Sequence, residues 1–255
     1  MIDIHCHILP GIDDGAKDMN DSLALAKAAV QQGIRTIVAT PHHKNGRYEN
    51  SRLSILQKVS ELNAFLQQEE IPLTILPGQE LRINGEILED LAKEEILPVN
   101  DGGKYVLIEL PSGQVPRFTE QLLFELQLKG VTPIIAHPER NQEIIENPDL
   151  LYNLVEKGAL TQITAASIVG YFGKKISRFS YQLIDANLTH FVASDAHNLN
   201  NRTFKVMEAY DSIEKKYGVD AVYMFKENAE LLVKGNHVYK EPPSKVKQKR
   251  FFGIF

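Results

Sequence analysis

Hydrophobic positions along the chain fall into seven short runs rich in Val, Ile and Leu, each of the length of one β-strand. The runs are IDIH (2–5), RTIVAT (35–40), LTILPG (73–78), YVLIEL (105–110), TPIIAH (132–137), LTQITA (160–165) and HFVASD (190–195). Between them, longer stretches carry apolar residues three and four positions apart, which is the spacing of one helix face. This alternation predicts an α/β protein with parallel strands joined by right-handed crossovers.

The longer stretches also carry helix-end residues, with Ser51 as a candidate N-cap and Gly33 as a candidate C-terminal stop. The predicted helices cover residues 21–33, 51–70, 118–130, 148–158, 202–218 and 221–235. No glycine-rich phosphate loop follows the first strand, so we predict a closed or nearly closed seven-stranded (β/α) barrel, with a doubly wound open sheet as the alternative. No low-complexity linker divides the chain, which predicts one domain over residues 1–240 and a basic, aromatic tail over residues 241–255.

Composition and charge narrow the function classes. The formal net charge of −5 disfavours general nucleic-acid binding, which needs a basic surface to displace counterions. A single cysteine excludes an internal disulfide and is typical of a reducing cytoplasm. The chain shows neither a basic leader followed by an apolar run nor a stretch of membrane-spanning length, so we predict a cytoplasmic protein.

Histidines and acids gather at the carboxyl ends of the predicted strands, where βα barrels collect functional side chains. His5 and His7 occupy alternate positions, which places both side chains on one strand face while Cys6 points away. Six of the eight histidines lie at such ends, a concentration that scattered surface residues would not show. The residues at these ends are His5, His7, His42, His43, Glu80, Glu109, His137, Asp195 and His197. His190 and His237 lie outside the pattern, and we interpret them as surface or capping residues.

These residue types indicate a metal site, although each residue also has a simpler structural interpretation. An acid such as Glu109 or Asp195 at the end of a buried strand costs several kcal/mol unless it is paired or bound to a cation. A buried salt bridge is the alternative for both acids. Asp14 in GIDDG supplies either a further oxygen ligand or only a turn. We expect His43 to support its neighbour rather than to bind metal.

The mixture of imidazole and carboxylate donors suits Mn²⁺, Fe²⁺ or Zn²⁺ rather than a thiolate structural zinc site. About eight donors are too many for one ion, and they are enough for two or three ions that share carboxylates. A purely structural site would be closed and would use about four ligands. The wider donor set therefore favours catalysis over a metal-stabilised scaffold for a partner protein.

Six motifs at successive strand ends, IDIHCH, ATPHH, GQELR, LIELP, AHPER and SDAHN, resemble those of the polymerase-and-histidinol-phosphatase (PHP) superfamily. Within it, residues 1–235 are most similar to the manganese-dependent bacterial protein-tyrosine phosphatases that accompany capsule and exopolysaccharide synthesis. The resemblance implies a distorted seven-stranded (β/α) barrel with three metal ions, manganese first and iron or zinc as alternatives. It also implies hydrolysis of phosphotyrosine by a metal-bridging hydroxide, on a membrane-associated bacterial tyrosine kinase and its substrates.

The resemblance further implies roles for single residues. The ligands that it implies are His5, His7, Glu80 and Asp195 for a first ion, Glu80, Glu109 and His137 for a second, and Asp14, His42 and His197 for a third. Asp13 stands beside Asp14, so the acid of the third set stays open between them. Arg140 and Arg202 match the arginines that hold the phosphate, and His197 is a candidate general acid beside a metal-bound water. Three divalent ions and four carboxylates leave about +2, which suits a phosphate dianion.

Several alternatives remain open at this level. A phosphatase of small phosphomonoesters such as histidinol phosphate would use the same motifs. An amidohydrolase-like or deoxyribonuclease-type barrel is less favoured, because such barrels usually take a histidine from the sixth strand and QITAAS (162–167) offers none. Cysteine-dependent tyrosine phosphatases are excluded, since the residue six positions after Cys6 is Ile12 rather than an arginine. Arg140 could instead form a surface ion pair with Glu139 or Glu143.

The tail KVKQKRFFGIF (245–255) combines basic residues with three phenylalanines. It is either a disordered end or a docking segment for a partner protein or an anionic membrane surface. We expect no nucleic-acid partner, in keeping with the acidic net charge.

Overall fold

The computed structural model describes residues 1–247, in which parallel strands alternate with helices. The strands are β1 (Ile2–Cys6), β2 (Thr36–Ala39), β3 (His42–His43), β4 (Thr74–Pro77), β5 (Glu80–Arg82), β6 (Tyr105–Glu109), β7 (Thr132–Ala136), β8 (Leu160–Thr164) and β9 (Phe191–Ala193). The helices are α1 (Met19–Gln31), α2 (Arg52–Gln68), α3 (Ile87–Ala92), α4 (Thr119–Leu128), α5 (Gln142–Glu146), α6 (Asp149–Glu156), α7 (Ala165–Ile168), α8 (Lys174–Asp185), α9 (Val206–Tyr217) and α10 (Val219–Val233). Two 3₁₀ turns cover Val99–Asp101 and Pro138–Arg140. Residues 248–255 of the predicted tail lie outside the described residues.

The described strands form two sheets, of order β1-β2-β4 and β3-β5-β6-β7-β8-β9, and every pairing is parallel. The predicted second strand corresponds to β2, and after Thr40 and Pro41 the chain forms a further strand, β3, beyond the predicted run; proline cannot donate to a sheet ladder. The predicted third strand corresponds to β4, and β5 follows it beyond Gly78, where an added Cβ would lie 2.6 Å from Val38 Cγ1. A single bridge, between Cys6 and Ala196, connects the two sheets at β1 and β9. The parallel α/β prediction is confirmed, while two sheets stand where one seven-stranded barrel was expected.

Alternating side chains of the strands pack in opposite directions, as a period of two residues requires. In β6, Val106 and Ile108 belong to the large apolar cluster that includes the helix side chains. Leu107 points the other way, into a second cluster with Phe191 of β9. Cys6 packs in the first cluster, which confirms that it faces away from the two flanking histidines.

Most predicted helix boundaries agree with the structure. Ser51 caps α2, since its Oγ accepts a hydrogen bond from Ser54 N at 3.4 Å. The helix predicted from residue 202 begins only at Val206, because Lys205 before it adopts a left-handed backbone with φ of 52°. Helix α8 was not predicted. No helix within residues 1–247 has both the length and the apolar character needed to cross a membrane.

The amino ends of the strands are covered by α10 and by the segment that follows it. His190 is buried there, so its interpretation as a surface residue is wrong. Its Nδ1 accepts a hydrogen bond from Thr161 N at 3.1 Å, and its carbonyl accepts one from Asn228 Nδ2 at 3.1 Å. Ser244 N donates to Ala186 O at 2.8 Å, so the chain remains packed against the domain beyond residue 241.

Candidate metal centre

The carboxyl ends of the strands bring together the nine residues that the resemblance implies as metal ligands. Strand register accounts for part of this convergence, since His42 of β3 is paired with Glu80 of β5. His5 lies within β1 and His7 just after it, and their Nε2 atoms lie 3.2 Å apart. Each of these two nitrogens also lies 3.4 Å from Glu80 Oε2. Two imidazoles and one carboxylate therefore converge on a single point.

Asp195 lies on the other side of the same two histidines. Its Oδ1 is 3.4 Å from His5 Nε2 and 3.4 Å from His7 Nε2. The residue follows β9 in a left-handed backbone conformation with φ of 51°, which is uncommon outside glycine and typical of functional sites. The four residues implied for a first ion thus lie together.

A second group of donors lies beside the first. Asp14 Oδ1 is 3.3 Å from His42 Nε2 and 3.4 Å from His197 Nε2. The rings of His7 and His197 lie 3.7 Å apart between centroids. Gly15 follows Asp14 and packs directly on His7, because an added Cβ would lie 2.0 Å from the His7 carbonyl oxygen. The structure thus brings together the three residues implied for a third ion.

Glu80 connects these donors to the residues implied for the second ion. His137 Nε2 lies 2.8 Å from Glu80 Oε1, and His42 Nδ1 lies 2.8 Å from Glu80 Oε2. Glu109 Oε2 is 3.9 Å from His42 Nδ1 and 3.0 Å from Arg82 Nη2. A buried salt bridge with an unspecified partner was the simpler interpretation of this acid, and the structure shows such a contact, with Arg82, beside the cluster.

Within residues 1–247, three groups of side chains have ligand atoms close enough to share an ion. They are His7, Asp14, His42 and His197; His5, His7 and Glu80; and His42, Glu80 and Glu109. The third group contains His42 where the resemblance implies His137. His43 is in none of the three, and its Nδ1 accepts from Asn50 N at 3.1 Å, as expected for a supporting residue.

The electrostatics of the cluster favour bound positive charge. Burial raises the pKa of Glu80, but the surrounding imidazoles, His5 first, outweigh it and hold the pKa well below its ordinary value. Burial and then the Glu80 charge raise the pKa of Glu109 to about 7. For His42, burial lowers the pKa, yet the Asp14 and Glu80 carboxylates beside its ring raise it to about 9. The carboxylates thus favour a cationic His42, whereas burial lowers the pKa values of His137 and His197 to about 4.

The chemistry of the donors fits divalent cations. His5 Nδ1 faces Gln162 Oε1 at 2.8 Å and His7 Nδ1 faces Asp13 Oδ2 at 2.7 Å, and both oxygens are acceptors. With a proton on each Nδ1, the two Nε2 atoms present lone pairs to one another, an arrangement that a cation between them stabilises. Several buried atoms of the cluster make no hydrogen bond, namely His42 Nδ1, Glu80 Oε2, Glu109 Oε2 and His197 Nε2.

The sequence did not reveal the orienting roles of two residues, Gln162 and Asp13. Gln162 is the buried β8 residue that fixes the ring of His5, and Asp13 fixes the ring of His7. Asp13 also accepts hydrogen bonds from Gly15 N at 2.9 Å and from His42 N at 3.2 Å. These contacts occupy Asp13 and leave Asp14 for the cluster. The Asp13 carboxylate lies close to the His5 and His7 motif in the sequence, so its role could have been predicted. Gln162 lies 157 positions from His5, and no local pattern indicates its role.

Both predicted arginines reach the cluster. Arg140 Nη2 donates to Asp195 Oδ2 at 2.6 Å, and Arg202 Nη2 lies 3.1 Å from both Asp195 oxygens. Glu139 is buried and bonds elsewhere, so a surface ion pair between it and Arg140 is wrong. A cavity of about 310 Å³ opens beside the arginines. Its lining residues are His42, Glu109, Leu110, Ser112, Ala136, His137, Arg140, Asn141 and Arg202.

Comparisons with known proteins agree with this geometry. The family model described as capsular polysaccharide synthesis, CpsB/CapC, matches residues 1–234. The chain is 56% identical to the tyrosine-protein phosphatase YwqE of Bacillus subtilis, over 100% of both chains. It is 34% identical to the tyrosine-protein phosphatase CpsB of Streptococcus pneumoniae, over 91% of this chain and 98% of the relative.

A solved structure is also similar to the chain. It comes from crystallographic work on YwqE of Bacillus subtilis and CpsB of Streptococcus pneumoniae, described as metal-dependent tyrosine phosphatases. The TM-score is 0.95 at 56% identity, and the match covers 97% of this chain and 100% of the other. The family match contains every histidine and carboxylate of the cluster.

Proposed function

The chain belongs to the CpsB/CapC family of capsular polysaccharide synthesis, and from that premise we propose that it is a metal-dependent protein-tyrosine phosphatase. Membership confirms the resemblance to capsule-type tyrosine phosphatases that the strand-end motifs indicated. The observation that carries the proposal is the position of Arg140 and Arg202 at the cavity beside a cluster of metal-type donors. A guanidinium group can donate hydrogen bonds to two phosphate oxygens at once, whereas a purely structural metal site has no anion for it to bind.

We propose that the cluster holds three divalent ions, manganese in preference to iron or zinc. His5, His7, Glu80 and Asp195 bind one; Glu80, Glu109 and His137 bind another; Asp14, His42 and His197 bind the last. Ions held there would supply a nucleophile near neutral pH and neutralise phosphoryl charge. The mixed imidazole and carboxylate donors, with no thiolate in the three groups within residues 1–247, suit all three metals, and the preference for manganese rests on the resemblance to the manganese-dependent phosphatases.

The chain's own residues orient the substrate. Arg140 and Arg202 hold two phosphoryl oxygens at the cavity, whose wall includes the largely buried apolar residues Leu110 and Ala136. The tyrosine phenolate leaves with a pKa near ~10, so protonation helps it less than it would help an alkoxide. His197 donates Nδ1 to the Asp195 carbonyl at 3.0 Å, which favours a ligand role for it over that of general acid.

The substrate class can be tested by kinetics. We expect the manganese-loaded protein to hydrolyse a phosphotyrosyl peptide with a kcat/KM at least about 100-fold above that for histidinol phosphate or a phosphoseryl peptide. Chelation should abolish activity, and manganese should restore it. A preference for histidinol phosphate would identify a small-molecule phosphatase instead, and hydrolysis that survives complete metal removal would contradict the proposal.

The remaining assignments follow from the family context. We propose that the substrates are a membrane-associated bacterial tyrosine kinase and its target proteins, and that the enzyme acts in the cytoplasm, where its free Cys6 stays reduced. We also propose that the two sheets belong to one distorted seven-stranded barrel, in which β2 with β3 and β4 with β5 each form one interrupted strand. Residues 1–240 would be its single domain, and the 241–255 tail would dock a partner or an anionic membrane.

A further inference from the structure

The turn that carries Arg140 rests on a part of the chain that supplies no atom to the three metal-type groups. This segment, residues 164–173, runs from the end of β8 through α7 to the start of α8. The sixth predicted strand, which precedes this segment, contains no histidine. The structure shows what the segment contacts instead.

The first contact joins the segment to Glu139, the neighbour of Arg140. Glu139 has no exposed surface, and its Oε1 accepts hydrogen bonds from Ser167 Oγ at 2.6 Å and from Thr164 N at 3.0 Å. The turn starts from His137, whose φ of 35° is a left-handed conformation that costs energy in a residue other than glycine. Glu139 thus ties a strained turn to the end of β8.

The second contact reaches Arg140 itself. The guanidinium carbon of Arg140 lies 5.4 Å from the centre of the Phe172 ring, within the range of a cation–π interaction. Phe172 is in turn held by Tyr171, whose ring meets it edge to face at 5.6 Å. The Arg140 side chain is 21% exposed and Phe172 is half-buried, so this contact is partly shielded from solvent.

An aromatic face differs from a carboxylate as a support for a phosphate-binding arginine. The Asp195 carboxylate neutralises the Arg140 charge, and the same carboxylate also contacts the metal-type donors of the cluster. The Phe172 ring fixes the guanidinium while leaving its net charge free to bind an anion. The ring therefore continues to position Arg140 when the Asp195 carboxylate binds another cation instead.

We infer that residues 164–173 position Arg140 for phosphate, through the Phe172 ring against its guanidinium and through Ser167 and Thr164 on Glu139. This inference rests on the proposed function, because it takes Arg140 as a phosphate-binding residue. Phe172 and Glu139 act through Arg140, so they are positioning residues rather than catalytic ones.

The test compares three single variants of the manganese-loaded full-length protein. Phe172→Leu removes the ring, Phe172→Tyr keeps it, and Phe124→Leu makes the same change at a ring that is 55% exposed on α4. Calorimetry measures the Kd of inorganic phosphate, kinetics measure KM and kcat for a phosphotyrosyl peptide, and elemental analysis measures bound manganese. We expect Phe172→Leu to raise the Kd and KM about 3- to 10-fold with kcat and manganese content unchanged. Phe172→Tyr and Phe124→Leu should match the parent protein.

A double-mutant cycle separates positioning from a general structural role. Introduced beside Arg140→Ala, Phe172→Leu should weaken phosphate binding no further, because the group it positions is already gone. Ser167→Ala, a smaller change to the same support, should behave likewise with a loss of about 2- to 5-fold on its own. Additive losses in the Arg140→Ala background, or an unchanged phosphate Kd for Phe172→Leu, would overturn the inference. Weaker phosphate binding in a protein that does not hydrolyse phosphotyrosine would support the inference and refute the proposed function.

Discussion

The two ends of the strands bury similar polar side chains in opposite ways. At the amino ends, His190 Nδ1 accepts a hydrogen bond from Thr161 N at 3.1 Å, and Asn228 donates to the His190 carbonyl. At the carboxyl ends, His5 and His7 bring their Nε2 atoms to within 3.2 Å of one another. A polar group that forms a hydrogen bond with a complementary protein group has a structural role. Ligand atoms that bring their lone pairs together, as His5 and His7 Nε2 do, need a cation between them.

The pKa values of the two ends reflect the same difference. Burial, with a smaller effect of Lys240, lowers the pKa of His190 to about 3. His42 is buried as well, yet the adjacent Asp14 and Glu80 carboxylates raise its pKa to about 9. Size alone would mislead, because the cavity of about 430 Å³ that includes His190 is larger than the 310 Å³ cavity beside the arginines. Converging carboxylates, rather than volume, distinguish the functional end.

The largest effect should come from Glu80, which contacts donors of all three groups. Its oxygens lie near His5, His42 and His137, and it has no exposed surface. We expect Glu80→Gln to lower kcat/KM for a phosphotyrosyl peptide by at least about 100-fold and to release at least one manganese ion. Glu230→Gln, the same change at a side chain that is 58% exposed on α10, should do neither. Full metal content in Glu80→Gln would contradict the view that the carboxyl ends of the strands, unlike the amino ends, bind metal through their converging donors.

Next in size should be the arginines. Arg140 makes the shorter contact with Asp195 and its side chain is 21% exposed, against 29% for Arg202. We expect Arg140→Ala to weaken inorganic phosphate binding about 10- to 100-fold and Arg202→Ala to weaken it less, with metal content preserved in both. Calorimetry on the manganese-loaded variants measures this. Loss of manganese together with phosphate binding would show instead that the arginines support the metal centre.

A smaller effect should follow at Asp13, which orients His7 without belonging to a ligand group. Asp13→Asn leaves an oxygen that can accept from His7 Nδ1 but removes the charge that strengthens the ring as a ligand. We expect a manganese Kd raised about 10-fold, with the number of ions at saturation unchanged. Asp14→Asn should instead lower that number, and Asp211→Asn on the exposed side of α9 should change neither. Manganese titration followed by elemental analysis distinguishes these outcomes.

The smallest effect on activity should come from His190, whose contribution is to stability. Its pKa falls from an ordinary 6.5 to about 3 on folding, so below pH 6.5 the unfolded chain binds a proton that the folded chain does not. Stability from this residue is complete above about pH 6.5 and is lost as the pH falls, by ~2 kcal/mol at pH 5. His190→Asn keeps an acceptor for Thr161 N and cannot titrate.

Urea unfolding of both proteins at pH 7.5 and pH 5 measures this contribution. The free energy of unfolding should fall more steeply for the parent protein than for His190→Asn, by the ~2 kcal/mol expected for this one group. Activity at pH 7.5 should be equal. Equal pH dependence in the two proteins would mean that the amino ends of the strands do not exclude a charged histidine.

The sequence predicted what depends on local periodicity. The alternation of His5 and His7 around Cys6 follows from the strand period, and the structure reproduces it. What it missed depends on distant partners: Gln162 lies 157 positions from His5, and no local pattern distinguishes it from any other buried strand residue. Pro41 separates β2 from the short β3 that follows it, and this proline was visible in the sequence directly after the second predicted strand.

The interpretation of His190 was wrong for a related reason. A histidine outside a motif is usually exposed, and only the packing of α10 against β9 shows that this one is buried. Asp13 and Asp14 are adjacent and chemically identical, so sequence alone left the choice between them open. Their different partners, His7 for one and the His42 and His197 pair for the other, separate them in space.

The central claim is that the converging donors hold a cluster of divalent ions. Crystals grown with excess manganese and measured on both sides of the manganese absorption edge test it directly. We expect three anomalous peaks, each within coordination distance of the groups around His7, Glu80 and Asp195, and none beside His190. Well-ordered crystals that show no anomalous peak at the carboxyl ends of the strands would contradict the account.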